Sequence, residues 1–243
     1  MDSLEKIDEH KDKTSGPEEH PAHFHESVNR SHTGPIVRRN EGVYEMSIDG
    51  SHFIDIPERI AKLIRLALHV QKEIDADPLS LNREYDSITG MVKGINCHKT
   101  TLFIRGDISK EQLVNTAIEA EYNGHPEIIT LANENPNNLH FFSGDIREYA
   151  REHLKEFPFS VHVLVRKGSN FVPAHSFMWL KTDDVGNEIC FHKAGPYLDM
   201  GFEVTTLKDA LEPYDTLSSV FMILPLRDGK KDNKNTTQTR TNA

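Results

Sequence analysis

A series of short β-forming runs in the second half of the chain limits what it can fold into. After Pro158 the stretches SVHVLVRK, HSFMWLK and EICFHKA are rich in β-branched and aromatic residues and are separated by the turn sequences GSN and DDVGN. Short runs of this composition with turn residues between them read as an antiparallel meander. GFEVTT and VFMILPL add two further strands, flanking a short helix near Leu207 to Leu211.

The first half carries the other periodicity. Ile56, Ile60, Leu63, Ile64, Ala67, Leu68 and Val70 recur at three- and four-residue spacing, with Asp55 or Ile56 at the cap and Pro57 early, where proline is tolerated. This predicts an amphipathic helix ending near Ile74. A second helix is predicted from Ser109, which forms a capping-box pattern with Gln112, through Leu113, Ala117, Ile118 and Ala120 to a stop at Asn123 and Gly124. A third covers Ile146 to Phe157. Helices first and strands second give an α+β class, with N-terminal helices packed on an antiparallel sheet.

The 243 residues leave ample room for a core, but 37% hydrophobic residues and a mean hydropathy of −0.55 are low for a chain that folds throughout. The polar material sits at the ends. Residues 1–41 mix charges, Pro, Ser and histidines without apolar periodicity, and residues 227–243 are Lys-, Asn- and Thr-rich. Both are expected to be disordered, leaving a folded domain over residues 42–226. The HPAHFH cluster in the first segment is a weak, flexible chelator at most. The net charge of −10 belongs to the body, since the first segment is nearly balanced and the tail is basic. An acidic body repels phosphate backbones, which argues against nucleic acid as the ligand.

Two cysteines, Cys97 and Cys190, lack the paired spacing of a zinc site or a disulfide scaffold, so free thiols in a reducing compartment are expected. The opening MDSLEKIDEHKDK has no apolar signal region, and the longest mostly apolar stretch, Ile60 to Val70, is far short of the roughly 20 residues that span a bilayer. The expectation is a soluble protein, cytoplasmic or exported by a specialised system that reads a disordered terminus.

A few residues carry a catalytic question. Cys97 lies in GINCHKTTLFIRG, after a Gly-containing loop and before a run that reads as the first turns of a helix. A thiol at a helix N-terminus has its pKa lowered by free backbone N–H groups and the dipole, which is one route to a thiolate nucleophile; the alternative is a buried small hydrophobe. His175 heads HSFMWLK and shares a face with Phe177 and Trp179 by the two-residue period, placed to act as general base and acid. His192 lies on the next strand, which a turn centred near Asp184 and Val185 folds back to the level of His175, where it can orient the imidazole. One cysteine and two histidines also form a zinc ligand set, but the tight H-x-E and C-x-x-C pairings are missing, and no metal or cofactor is expected. His98, one step along the helix, points about 100° away from Cys97 and is expected to be solvated or to face substrate. His162 and Trp179 read as packing residues and Cys190 as core.

The order of cysteine, histidine-headed strand and second histidine strand resembles the papain-like superfamily, most nearly its NlpC/P60 branch. Tyr85 precedes Cys97 by twelve residues, Gly94 stands three before it, FHKAGP resembles the family's second histidine strand, and GFEVTT the strand that follows. The likeness runs from Tyr85 to Leu226. SITG stands where the family has Trp-Gly-Gly, and Asn96-Cys97-His98-Lys99 where it has Asp-Cys-Ser-Gly. The resemblance implies a papain-like fold, with Cys97 as nucleophile, His175 as base and His192 as orienter. It also implies that Tyr85 and the Cys97 backbone N–H lie near the oxyanion site. The function so implied is a cysteine peptidase or amidase that cleaves an amide through a Cys-His-His triad and an acyl-enzyme, with peptidoglycan stem peptides as the substrate class. Two alternatives use the same chain: a transglutaminase-like acyl transferase or deamidase on a protein substrate, and an inactive interaction domain whose disordered termini bind a protein partner.

Overall fold

The computed structural model describes residues 34–48, 50–76, 95–115, 126–135, 139–141, 158–195, 201–214 and 219–227. Strands β1 (Val37–Asn40), β2 (Val43–Ser47) and β3 (Phe53–Ile56) form an antiparallel sheet in that order. Asn40 pairs with Val43 across a two-residue turn in which Glu41 has φ 47° and Gly42 φ 91°, the left-handed pair that matches strand twist in a tight hairpin.

This corrects the expected boundary at residue 42. β1 lies inside the segment read as disordered. Its side chains are mostly exposed, so it carries no apolar pattern. It is held instead by ladder bonds to β2, by Arg38 Nε donating to Glu45 Oε2 at 2.7 Å, and by the Arg38 guanidinium 3.6 Å over the Phe53 ring.

The inner face of this sheet, Tyr44, Met46, Ile54 and Ile56, packs on α1 (Glu58–Ala76), whose buried stripe includes Ile60, Ile64, Ala67, Val70 and Ile74. The helix begins after Pro57, whose carbonyl accepts the Ala61 N–H at 3.0 Å. Ile56 is excluded because it is paired with Tyr44 in the sheet.

The next helix, α2 (Cys97–Arg105), is buried along its whole length. The Asn96 side chain accepts the Lys99 N–H at 2.9 Å as N-cap. At the other end Gly106 adopts φ 97°; its N–H reaches Phe103 O at 3.1 Å, and the Asp107 N–H reaches Leu102 O at 2.9 Å. These are the paired bonds of a Schellman cap. The capping box at Ser109 forms in both directions, Ser109 N–H to Gln112 Oε1 at 2.8 Å and Gln112 N–H to Ser109 Oγ at 3.2 Å, and opens α3 (Lys110–Asn115). The expected continuation to Asn123 and the expected helix over Ile146 to Phe157 lie outside the described residues. An unexpected helix, α4 (Pro126–Glu134), starts with proline in its first position and buries Ile128, Leu131 and Ala132.

The strands of the second half form one six-stranded sheet. They are β4 (Leu139–Phe141), β5 (Phe159–Lys167), β6 (Asn170–Thr182), β7 (Glu188–Lys193), β8 (Phe202–Thr206) and β9 (Ser219–Pro225), in the order β4-β9-β5-β6-β7-β8. All neighbours are antiparallel, and α5 (Leu207–Leu211) follows β8. The expected meander is β5-β6-β7-β8, and β9 returns to the far side of β5 instead of extending the series. The molecule is therefore α+β, with α2 at the centre. Met178, Leu180, Ile189 and Phe191 join α1 and α2 in one core, and Leu164, Met222 and Leu224 join Leu102 and α4 in another. The opposite side of the sheet, Val161, Phe177, Trp179, Cys190 and Phe221, packs on Leu207 and Ala210 of α5. Among the described residues no helix is long and apolar enough to cross a membrane.

The cap of α2 yields a stability prediction. Gly106→Ala places a Cβ at φ 97° and 3.3 Å from the Arg59 guanidinium, and is expected to cost about 1–2 kcal/mol in a urea titration. An unchanged midpoint would show that the left-handed cap is not formed.

Candidate active site

Cys97 occupies the first position of α2, with its thiol against β6. The backbone N–H groups of Ser176, His98 and Cys97 itself point at the sulfur, and the Lys193 ammonium adds a favourable charge. Lys193 is fully buried, with its ammonium 5.9 Å from the centre of the Phe202 ring. Even so, burial dominates and pushes the thiol up to about 11. The helix position expected of Cys97 is correct; the expected lowering of its pKa is not. A side chain only 8% exposed loses more from desolvation of its anion than three N–H groups and one cation restore.

His175 precedes Ser176 on β6 and is 7% exposed. Its Nε2 lies 3.0 Å from Nδ1 of His192, with the two rings edge to face at 4.9 Å. The β6–β7 register accounts for this. Met178 pairs with Phe191, so the following residue, His192, comes opposite Phe177 and leaves His175 on the diagonal of the same face. Burial, and secondarily the charge of His192, push His175 down to about 3, so it rests as neutral imidazole.

Two residues not singled out in the sequence complete the group. Glu203, the cross-strand partner of His192, places Oε2 3.9 Å from His192 Nε2. Its signal is visible only after pairing, as an acidic residue in GFEVTT opposite a histidine. Tyr214, just beyond α5, stacks on His175 at 6.0 Å and 15°. Its hydroxyl is raised by burial and, secondarily, by the Cys97 charge, so the one ring neighbours both the thiol and the imidazole.

With a proton on His192 Nε2, the nitrogen toward Glu203, Nδ1 accepts the His175 Nε2–H. The lone pair of His175 then rests on Nδ1. A neutral imidazole is the form that can accept a proton.

His98 does not face solvent or substrate as expected. It is 3% exposed, and its Nδ1 lies 2.7 Å from Ser176 Oγ, because the step of about 100° along a helix flat on a sheet turns the ring into the sheet. His162 does more than pack: its Nδ1 also lies 2.7 Å from Ser176 Oγ, and burial pushes it down to about 3. Trp179 and Cys190 are core residues of the α5 face, and burial raises the Cys190 thiol. Tyr85, Gly94 and the HPAHFH cluster lie outside the described residues. Among the described residues no group of three or more His, Cys, Asp and Glu side chains is placed to hold a metal ion.

The chain matches no known family model, no curated protein and no solved structure.

Two deeply buried neutral histidines make stability pH-dependent. His162 and His175 bind no proton when folded until about pH 3, but do so near 6.5 when unfolded. The unfolded chain therefore holds more protons between these limits, and stability falls as pH drops through that window. Between pH 7 and pH 5 each is expected to remove about 2 kcal/mol from the unfolding free energy, and His162→Gln to abolish its own share of the slope. Urea midpoints at the two pH values check this; equal midpoints would mean that the rings are hydrated.

Proposed function

We propose that the protein is a cysteine hydrolase acting on amide bonds, with Cys97 as nucleophile, His175 as general base and acid, and His192 and Glu203 orienting the imidazole. The observation that carries this reading is Cys97 at the amino end of a capped helix, with its sulfur at the backbone N–H of Ser176, while the preceding residue of that strand, His175, lies 3.0 Å from His192. The papain-like fold, of NlpC/P60 type, is part of the same proposal. It is supported by a helix with an N-terminal cysteine packed on an antiparallel sheet whose adjacent strands carry the two histidines.

The resting pair is thiol and neutral imidazole, not thiolate and imidazolium. Proton transfer from Sγ to His175 Nδ1 therefore accompanies attack on the carbonyl carbon. The new C–S bond moves the carbonyl pair onto oxygen, for which the Cys97 backbone N–H, freed from the sulfur as that bond forms, is the proposed donor. Collapse expels the amine with the proton held by His175, leaving a thioester. Water, deprotonated by the same nitrogen, then releases the acid and restores the thiol. Peptides or other amide-containing molecules are the substrate class. Transfer of the acyl group to an amine in place of water uses the same residues and marks the transferase reading.

A second reading has its own observation. Burial drives Cys97 upward and His175 downward, away from an ion pair, as in a domain that keeps the arrangement but binds without turnover.

One experiment separates the two. With Cys190→Ser leaving a single thiol, a peptidyl acyloxymethyl ketone is expected to label Cys97, and His175→Ala to slow labelling by about 100-fold or more. His192→Ala and Glu203→Gln should slow it less, by about tenfold. Folded wild-type protein that remains unlabelled after prolonged exposure would remove the hydrolase reading and leave the binding domain.

A further inference from the structure

A buried chain of hydrogen bonds runs beneath the proposed site and takes no part in the proposed chemistry. It begins on α2 at His98, crosses to Ser176 of β6, continues to His162 of β5 through Nδ1, and passes from His162 Nε2 to Ser160 Oγ at 3.2 Å. It ends where Ser160 Oγ donates to the Leu224 carbonyl of β9 at 3.3 Å. The sheet register builds it, since His162 pairs with Ser176 and Ser160 with Leu224. His162, Ser160 and Ser176 are all fully buried.

The direction of every bond follows from the last one. Ser160 has one hydroxyl hydrogen, and the Leu224 carbonyl takes it, so Ser160 Oγ must accept from His162 Nε2–H. His162 is neutral, so its Nδ1 carries the lone pair and accepts the Ser176 hydroxyl hydrogen. Ser176 Oγ has no further hydrogen to give, so it accepts from His98 Nδ1–H. Read from the Ser160–Leu224 bond, the chain is a one-way series from helix to sheet.

We propose that Ser176 is a positioning residue, whose hydroxyl locks His98 as the Nδ1–H form and thereby pins the first turn of α2 to β6. Its backbone N–H meets the Cys97 sulfur while its hydroxyl holds the adjacent residue of the helix. One residue therefore fixes both the height of the helix end and the solvent exclusion around the thiol. The proposal rests on the hydrolase reading only in calling Cys97 the nucleophile.

The test has two parts on the full chain. First, ¹⁵N-histidine NMR of the wild type, with His98→Gln and His162→Gln for assignment, is expected to show His98 protonated at Nδ1 and His162 at Nε2. The opposite tautomer on either ring would overturn the relay. Second, Ser176→Ala, in a Cys190→Ser background, is expected to let water reach the thiol. The iodoacetamide alkylation midpoint should move down by about one pH unit, raising the rate at pH 8 about tenfold, with Ser176→Thr restoring the original profile. A folded Ser176→Ala protein with an unmoved midpoint would reduce Ser176 to a structural hydroxyl and end the positioning claim. Should Ser176→Ala not fold, the wild-type tautomers and the Ser176→Thr profile still decide it. Neither readout requires amide turnover, so this proposal and the hydrolase reading fail independently.

Discussion

A nine-residue helix with no exposed face must find an internal partner for every polar group it carries. α2 holds His98, Lys99, Thr100, Thr101 and Arg105 within that burial, and a single unsatisfied donor there costs on the order of 1–3 kcal/mol. The surrounding elements are placed accordingly. Lys99 reaches Glu127 on α4, Thr100 Oγ1 donates to the Asn96 carbonyl at 2.8 Å, and Arg105 Nε donates to the Pro225 carbonyl at the end of β9 at 3.0 Å. Arg105 also pairs with Asp107, whose other oxygen takes Arg227 at 2.7 Å. Both α4 and the last strand are tied to the same short helix by these requirements.

That burial also sets the chemistry at its first residue. A helix N-terminus favours a thiolate, and N–H groups from two elements converge on Cys97, yet the thiol still rises. Desolvation of an anion is the larger effect wherever water is absent, and it acts in the opposite sense on the imidazole, so the same enclosure that raises Cys97 lowers His175. The two shifts together describe a neutral pair. They share one cause, enclosure away from water, and any change that admits water moves both back toward their ordinary values.

The periodicities in the sequence identify the elements that bury one face cleanly. The apolar stripe of α1 and the meander from β5 to β8 are legible because each alternates between core and solvent or between two cores. β1 is not legible, because its side chains are mostly exposed and its order comes from backbone pairing. α2 is legible only as the run that follows Cys97, since CHKTTLFIR buries polar and apolar residues alike and shows no stripe, and its caps at Asn96 and Gly106 emerge with the structure. Cys97, His175 and His192 stand out because their residue types are rare and reactive. Glu203 and Tyr214 do not, since a glutamate in a strand and a tyrosine in a turn acquire meaning only once β8 lies beside β7 and α5 returns across the sheet. The roles of His98 and His162 are hidden by the same lack of register: each looks isolated until Ser176 lies between them.

The two histidine chains on β6 differ in how they end, and that difference separates structure from chemistry. The chain through Ser176 ends on a backbone carbonyl, which accepts one hydrogen and cannot change its charge at neutral pH. The chain through His175 ends at a carboxylate, Glu203, 3.9 Å from the far nitrogen of His192, whose near nitrogen lies 3.0 Å from His175. One strand thus carries both chains, through Ser176 and through its neighbour His175, and it is the terminal acceptor, not the histidines themselves, that makes them different.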